Sequence, residues 1–471
     1  MSTEPTPVRR VAVVGGGIAA ALASAQASRA LPGDVELLHV PTETGGAHDA
    51  LYGGVLPPEI YALHTSLGLG EPDLLLGSNA AFAFGTRITQ WSEDERAWVQ
   101  PFHLPLPALD GVPVHLRTAQ PGQAVDLQDV LVSAAAIRLG RFAHPPQGQD
   151  HPLSRAEYGY LVDMTEMARL YGELADLSPT APLADVTFGE AGVEALGLAD
   201  GTTLTADLFI DASGPDAVLN PEASHDGELR YGIDQTRSAS AEAPPAARIR
   251  GTRTGWAMQW QTRTVTHTLT VGEGERIVSR RRQAAPWQGN VVAVGQAACT
   301  LEPLTVAPVR LLMRDVARVA ELFPVSTDMA VERRTFNAQA KDTQNLALAF
   351  HAAHFSGLAF ASDYAAHWTR WSTPELDRKL RQYEARGVLP AFDRETFHPL
   401  DWAVLHAGVG RSPARADTLA AQADPAAVDA ALRGMAQSIE AAVPKIPPHG
   451  VYLGKLLDYL ARKHMEVRHV G

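Results

Sequence analysis

Residues 10–40 read RVAVVGGGIAAALASAQASRALPGDVELLHV, and their pattern is the strongest indication of the fold. Residues 11–14 form a short apolar run typical of a buried strand, and residues 18–30 are rich in alanine, the best helix former. Three glycines separate these runs, and a second apolar run, residues 35–40, follows the helix. A strand, a glycine turn, a helix and a second strand in about 30 residues predict a βαβ unit.

The spacing of Gly15, Gly17 and Ala20 is typical of a turn that holds a dinucleotide such as FAD. Glycines without a Cβ allow a pyrophosphate to approach the backbone N–H groups at a helix N-terminus. The acidic residue that binds ribose hydroxyls at the end of the second strand is missing, because His39 stands there. A neutral imidazole cannot make the bidentate contact of a carboxylate. We therefore expect weaker adenosine binding, with His39 either a ligand or only a strand-end residue.

Composition excludes several classes of protein. The chain has 471 residues, 45% of them hydrophobic and 20% charged, which indicates a globular protein of more than one lobe. Its net charge of −13 argues against nucleic acid or an anionic membrane as a partner. The glycines that interrupt residues 11–30 argue against a membrane span. Cys299 is the only cysteine, which fits a reducing compartment, and we expect a cytoplasmic protein.

Three further patterns give local predictions. Residues 57–87 favour mostly helix, and residues 264–271 and 276–282 flank a glycine-rich turn as in a hairpin. The basic run at residues 280–282 is typical of a solvated strand edge. His351 and His354 could share a helical face, but no third ligand is evident nearby, so we predict no metal site.

Several segments resemble the flavin-dependent tryptophan halogenases, over roughly residues 11–449. Besides the glycine turn, the segments that carry the resemblance are 82–85 (FAFG), 206–214 (ADLFIDASG), 255–256 (GW), 286–295 (PWQGNVVAVG) and 301–304 (LEPL). The resemblance implies an α/β fold: a Rossmann-type, flavin monooxygenase-like domain with an added β-sheet region and a mainly helical C-terminal region. We place the flavin-binding domain with its inserted substrate-side sheet at residues 8–325 and the helical region at 326–471.

The resemblance also implies a cofactor and partners. FAD would arrive as FADH₂ from a separate reductase, and the substrate would be a small aromatic, indole-like molecule. The pocket residues that match are His103 and Trp402, although a loop histidine and a core tryptophan are alternative interpretations. A homodimer, or pairing with an active sister halogenase, is a further expectation.

The two residues that steer hypohalous acid in this family are replaced. Ala83 stands at the position of the lysine and has no amine, and Thr305 stands at the position of the glutamate. A hydroxyl cannot act as a general base near neutral pH unless another group activates it. The family's Gly-Asp-Ala-Ala, whose carboxylate meets the flavin, is here Gly295-Gln296-Ala297-Ala298. These changes predict weakened FAD binding and no halogenation by the lysine route.

Two functions of different classes stay open at this point. One is a residual FADH₂- and oxygen-dependent oxidoreductase or monooxygenase on an aromatic substrate, with His103 as an acid or base. The other is a catalytically silent homologue, a pseudoenzyme that binds a ligand or pairs with a sister protein. A true halogenase that uses other residues is a third hypothesis.

Overall fold

The computed structural model describes residues 6–42, 46–120, 122–148, 151–190, 192–220, 229–240 and 244–470. The strands are β1 Arg10–Gly15, β2 Glu36–Val40, β3 Val55–Leu56, β4 Ala81–Ala83, β5 Gly85–Trp91, β6 Arg96–Pro101, β7 Gly159–Leu161, β8 Leu183–Gly189, β9 Gly192–Leu198, β10 Thr203–Leu204, β11 Leu208–Ala212, β12 Arg230–Ala239, β13 Ala247–Gly251, β14 Trp256–Gln261, β15 Val265–Gly272, β16 Arg276–Ser279, β17 Trp287–Gln288 and β18 Val291–Ala293. The helices are α1 Gly17–Ala30, α2 Ile60–Leu67, α3 Glu71–Gly77, α4 Val114–Thr118, α5 Val132–Arg138, α6 Met164–Ala175, α7 Ala307–Glu321, α8 Ala330–Ala353, α9 Asp363–Arg370, α10 Pro374–Arg386, α11 Pro399–Gly408, α12 Pro425–Ala442 and α13 His449–Val470.

The predicted βαβ unit forms the centre of a five-stranded sheet in the order β17-β18-β11-β1-β2. β1 is parallel to both β2 and β11, so that Val13 pairs with His39 on one side and Ile210 on the other. Strands buried on both faces read as continuous apolar runs, as β1 and β11 do. The carboxyl ends of β1, β11 and β18 meet at one edge, beside the N-terminus of α1.

A seven-stranded sheet, in the order β16-β12-β15-β14-β13-β5-β6, forms the second layer. Its strand β5 and the preceding β4 lie within the segment predicted as mostly helix, so the helical prediction for residues 57–87 holds only up to Gly77. The predicted hairpin is also wrong, because β15 and β16 do not pair with each other. β12 lies between them and bonds to both, which places Gly232 opposite Gly272 on one side and Ile277 on the other.

Helices dominate the chain after residue 326, as predicted. α8 runs for 24 residues, and its second half is almost wholly buried. The predicted boundary at residues 325 and 326 falls between α7 and α8, which pack against each other. The division into two domains therefore stays a prediction. Within the described residues, no helix combines the length and the apolar composition that crossing a membrane requires.

Candidate functional site

The candidate cofactor site lies where β1 ends and α1 begins. Gly15 has a φ of +144°, and a Cβ there would lie 2.3 Å from the carbonyl oxygen of Ala212 in β11. Gly17 has a φ of +64°, and its Cβ would lie 2.1 Å from Oδ1 of Asp49. Ala20, one turn further along, is fully buried. Contacts within the protein itself therefore already require both glycines.

The carboxylate of Asp49 occupies the N-terminal end of α1. Its Oδ1 accepts a hydrogen bond from the backbone N–H of Ile18 at 3.0 Å, and the side chain is buried. Burial raises the pKa of Asp49 to about 7, although the N–H of Ile18 and the charge of His48 act in the opposite direction. Helix N-termini bind anions through unpaired N–H groups and the helix dipole. Here the protein supplies that anion from its own chain.

The backbone at Gly295 and Gln296 is also engaged within the protein. The N–H of Gly295 donates to Oδ2 of Asp315 at 3.0 Å, and the N–H of Gln296 donates to the hydroxyl oxygen of Tyr52 at 3.1 Å. A Cβ at Gly295 would lie 2.4 Å from that hydroxyl. Tyr52 and Asp49 are the two ends of one 3-10 helix, Asp49–Tyr52, so a single segment closes both positions.

The side chain of Gln296 points into the core. Its Nε2 donates to the carbonyl oxygens of Leu51 at 2.8 Å and Leu301 at 3.0 Å, while its Oε1 accepts from the N–H of Leu301 at 2.9 Å. Both amide N–H groups are therefore used to hold the chain after β18 against the 3-10 helix. Gln296 therefore has a structural role.

His39 contacts the glycine turn directly. Its Nε2 lies 3.1 Å from the carbonyl oxygen of Gly15, and since a carbonyl can only accept, the ring N–H donates. Burial lowers the pKa of His39 more than this hydrogen bond raises it, so the ring is neutral at neutral pH. His39 thus ties the end of β2 to the turn.

Little space remains between these groups. The cavity measures about 10 Å³, which is roughly room for one water molecule. Its walls include Gly16, Ala19, Thr42, His48, Asp49 and Ser213. A pyrophosphate is larger than this cavity, and it would bring further negative charge beside Asp49. The residues at the turn therefore do not fit FAD in this conformation.

Ala83 and Thr305, which the sequence analysis expects at the family's lysine and glutamate positions, both have packing roles in the structure. Ala83 is fully buried in β4 and pairs with Gly159 of β7. The hydroxyl oxygen of Thr305 accepts a hydrogen bond from the N–H of Ala307 at 3.2 Å, where α7 begins. Pro308 follows in the first turn of α7 and has no N–H to offer an anion.

The segment around Gly53 and Gly54 is packed tightly on the two sheets. A Cβ at Gly53 would lie 2.9 Å from Cβ of Pro303, and a Cβ at Gly54 would lie 1.9 Å from Nε1 of Trp260. That Nε1 donates to the carbonyl oxygen of Val162 at 2.8 Å, so the indole is fixed. These contacts leave no gap between the glycines and the second sheet.

The two predicted substrate residues have separate surroundings. Nδ1 of His103 lies 2.6 Å from the carbonyl oxygen of Leu104, and burial lowers the pKa of His103 to about 4. Trp402 is buried, with its ring 5.0 Å from that of Phe350 and 4.6 Å from Nζ of Lys379. Their role in binding a substrate stays a prediction.

A buried acid–base cluster lies on the other side of Pro303. Both carboxylate oxygens of Glu302 lack a hydrogen bond within the described residues, and Nε2 of His351 is 3.7 Å away. Burial raises the pKa of Glu302 to about 7, although its own backbone and the charge of Arg280 act against it. Arg280 is buried 4.6 Å from the ring of Trp368, so the predicted solvated edge is wrong for this residue.

His351 in α8 and His354, which follows the end of that helix, are both buried in the core. Burial lowers the pKa of His351 well below its usual value, and Nδ1 of His354 lies 2.9 Å from the carbonyl oxygen of Phe350. In the part of the chain that the structure describes, no group of three or more His, Cys, Asp or Glu side chains could hold a metal ion.

Asp49 and Tyr52 are the site residues that the sequence analysis missed. Both lie after the second strand, beyond position 39 where a ribose-binding acid is expected, and neither has a motif of its own. Only the approach of the 3-10 helix to α1 and to Gly295 reveals their position.

Comparison with known proteins identifies the fold. Among solved structures, BrvH, a flavin-dependent halogenase from Brevundimonas sp. BAL3, is similar with a TM-score of 0.83 and 24% identity, over 95% of this chain and 99% of that one. Xcc4156, a flavin-dependent halogenase from Xanthomonas campestris, is similar with a TM-score of 0.84 and 22% identity, over 95% of this chain and 98% of that one. The tryptophan 6-halogenase SttH from Streptomyces toxytricini is similar with a TM-score of 0.82 and 18% identity, over 95% of this chain and 99% of that one.

These likenesses confirm the predicted α/β fold with a Rossmann-type domain. A search of curated proteins found no match. The sequence profile described as tryptophan halogenase matches residues 10–231 and 249–425, which is most of the chain. The chain therefore belongs to the tryptophan halogenase family.

Proposed function

We propose that this chain is a silent member of its family, which does not carry out flavin-dependent halogenation. The observation that carries the proposal is the carboxylate of Asp49 on the N-terminal N–H of α1. A phosphate placed there would meet a like charge. A pyrophosphate would have to displace this carboxyl group and, above its pKa of about 7, would also be repelled by its negative charge.

Three further features support the proposal. The hydroxyl oxygen of Tyr52 accepts a hydrogen bond from the N–H of Gln296, so this backbone donor is not free to bind a cofactor. Ala83 cannot replace the lysine of the family, and the hydroxyl of Thr305 is engaged at the start of α7. Each change removes a different part of the flavin and halogenation machinery, while the surrounding fold is kept.

The competing hypotheses require movements of these groups. A residual oxidoreductase or monooxygenase, supplied with FADH₂ by a reductase, needs both Asp49 and Tyr52 to leave the site together. His103 would be a weak base in such an enzyme, because its pKa lies at about 4. A halogenase that uses other residues faces the same obstacle at the cofactor site.

FAD titration of the purified chain tests the proposal. We expect a colourless protein, and no change in the visible spectrum or in intrinsic fluorescence up to about 100 μM FAD. Stoichiometric FAD binding at micromolar concentration, together with hydrogen peroxide formation from reduced flavin and oxygen, would refute the proposal. A solved flavin-dependent halogenase of the family serves as the positive control in the same assay.

The role of a silent family member would be to bind a ligand or to pair with a sister protein. Calorimetric titration with indole and tryptophan tests the first, and light scattering of the chain alone and mixed with an active halogenase tests the second. Binding in either experiment without FAD is the expected result.

A further inference from the structure

Three side chains outside the flavin site, those of Tyr452, His144 and Glu71, lie in contact in a row. The hydroxyl of Tyr452, in the first turn of α13, lies 2.7 Å from Nδ1 of His144. Nε2 of the same imidazole lies 3.0 Å from Oε1 of Glu71, the first residue of α3. A nucleophile, a base and a third group that orients the base is the arrangement that activates nucleophiles in enzymes.

The partners of His144 determine its tautomer. A carboxylate can only accept, so the tautomer that suits the 3.0 Å contact with Glu71 has its hydrogen on Nε2, and in that tautomer Nδ1 accepts from the hydroxyl of Tyr452. The backbone N–H of His144 also points to the Tyr452 oxygen at 3.4 Å, where it favours developing negative charge. When Tyr452 loses its proton to Nδ1, the imidazolium lies between a phenolate and a carboxylate.

Glu71 is held ready for this role by two more tyrosines. Its Oε2 accepts from the hydroxyls of Tyr158 at 3.0 Å and Tyr160 at 2.8 Å. Burial alone raises the pKa of Glu71, but the hydrogen bonds and charge of His144 and the two hydroxyls outweigh it, so the pKa lies below its usual value. The carboxylate therefore stays ionised near neutral pH.

The two tyrosines on Glu71 provide an internal contrast to Tyr452. Burial and then the negative charge of Glu71 raise the pKa of both Tyr158 and Tyr160. Their hydroxyls donate directly to a carboxylate and have no base that could accept the proton. Of the hydroxyls of Tyr158, Tyr160 and Tyr452, only that of Tyr452 is bonded to an imidazole nitrogen of His144.

The network is open to solvent and lined by rings. The side chains of His144 and Glu71 are 29% and 21% exposed, and Tyr452 is half-buried. The imidazole centre lies 5.0 Å from the ring of Tyr158 and 5.6 Å from that of Tyr452, which are both partly exposed, whereas Phe82, also at 5.0 Å, is fully buried. An aromatic wall beside a polar centre is suited to a flat, apolar group on the reacting molecule.

We propose that Tyr452 is an activated nucleophile that accepts acyl groups from aromatic esters, with His144 as its base and Glu71 as a positioning residue. The oxygen of Tyr452 forms a bond to the ester carbonyl carbon while its proton passes to Nδ1 of His144. The bond from that carbon to the aryl oxygen breaks, and the phenol leaves with the proton from Nδ1. The product is O-acyl-tyrosine, which water hydrolyses to the free acid, and no oxidant or cofactor is needed.

p-Nitrophenyl acetate tests the proposal directly on the full chain. We expect a burst of about one nitrophenolate per chain at pH 7.5, and peptide mass spectrometry should place the acetyl group on Tyr452. Acetylation spread over lysines and other tyrosines, without enrichment at Tyr452, would overturn the proposal. This mapping uses the unchanged protein, so it does not depend on whether a variant folds.

Variants separate the roles of the three residues. Tyr452→Phe should abolish the burst, and His144→Gln should slow it by roughly 100-fold, the usual size of general base catalysis. Glu71→Gln should slow it and shift its pH profile, which the loss of a purely structural contact would not do. Tyr61→Phe, at an exposed position on α2 that is 66% accessible, is the matched control and should leave the burst unchanged. An unchanged burst in folded Tyr452→Phe would refute the assignment.

Discussion

Oδ1 of Asp49 lies 3.0 Å from the backbone nitrogen of Ile18, at the position where a helix N-terminus of this type receives a phosphate. The contact depends on Gly17, since any side chain there would collide with the carboxylate. A glycine pattern that normally admits a cofactor here admits a residue of the same chain.

Removal of this carboxylate should open the turn to FAD. We expect Asp49→Ala to bind FAD at least 10-fold more tightly than the wild type, because the like charge and the carboxylate atoms are both removed. Asp49→Asn, which keeps the size, should improve binding less. Fluorescence titration measures the change, and equal affinities for all three proteins would contradict the role given to Asp49.

Any weak FAD binding by the wild type should depend on pH. The pKa of Asp49 is raised to about 7, so the carboxyl group is mostly neutral at pH 6 and mostly ionised at pH 8. Because repulsion of the pyrophosphate needs the ionised form, binding should strengthen as the pH falls through 7. The Asp49→Ala variant lacks this group and should show a much flatter profile over the same range.

Restoring the two catalytic residues should not restore halogenation. The double variant Ala83→Lys, Thr305→Glu still has Asp49 and Tyr52 in the cofactor site, so we expect no halogenated indole or tryptophan. Mass spectrometry of reactions with FAD, a flavin reductase, oxygen and bromide is the measurement. Because a buried lysine is costly to the fold, circular dichroism must first show that the variant is folded. A halogenated product from this variant would contradict the closed site.

The stability of the protein should fall between pH 5 and 8 in part because of Glu302. Its pKa of about 7 in the folded protein lies above the ordinary value of 4.5 for a glutamate. The stabilising contribution of the neutral form is therefore complete below 4.5 and is lost as the pH rises through 7. This corresponds to about 2 to 3 kcal/mol between pH 5 and 8.

Urea denaturation of Glu302→Gln checks this effect. The neutral amide has a similar size, so the variant should lose less stability than the wild type over the same pH range. Glu273→Gln, at an exposed turn, removes one carboxylate without removing a buried one and should behave like the wild type. Parallel curves for wild type and Glu302→Gln would contradict the raised pKa.

Replacement of glycine by alanine should lower the stability of the protein at one position and raise it at another. Gly54→Ala places a methyl group 1.9 Å from Nε1 of Trp260, and we expect it to destabilise the protein by about 2 to 3 kcal/mol. Gly454→Ala lies in α13 with no atom within 4 Å of the added Cβ, and it should stabilise by about 0.5 to 1 kcal/mol. Thermal unfolding of both variants measures the difference. A neutral Gly54→Ala would show that the segment can shift.

Local sequence predicted the elements whose pattern is self-contained. Residues 10–40 combine apolar runs, a glycine turn and an alanine-rich helix, and the structure has β1, α1 and β2 there with bounds that differ by one residue. The hairpin prediction for residues 264–282 was wrong because local pattern identifies strands but not their partners. β12, some 25 residues earlier in the chain, takes the place between them.

Residue identity at known spacing was enough to predict the fold and the family, and it places Ala83 and Thr305 at the positions expected for the family's lysine and glutamate. It could not determine what fills the turn between Gly15 and Gly17. The hydrogen bonds that Asp49, Tyr52 and His39 make join segments more than 20 residues apart, and only folding brings those segments together. The same reason applies to Glu71, His144 and Tyr452, which no sequence spacing relates. The side chains that meet at each site are therefore known only from the tertiary structure.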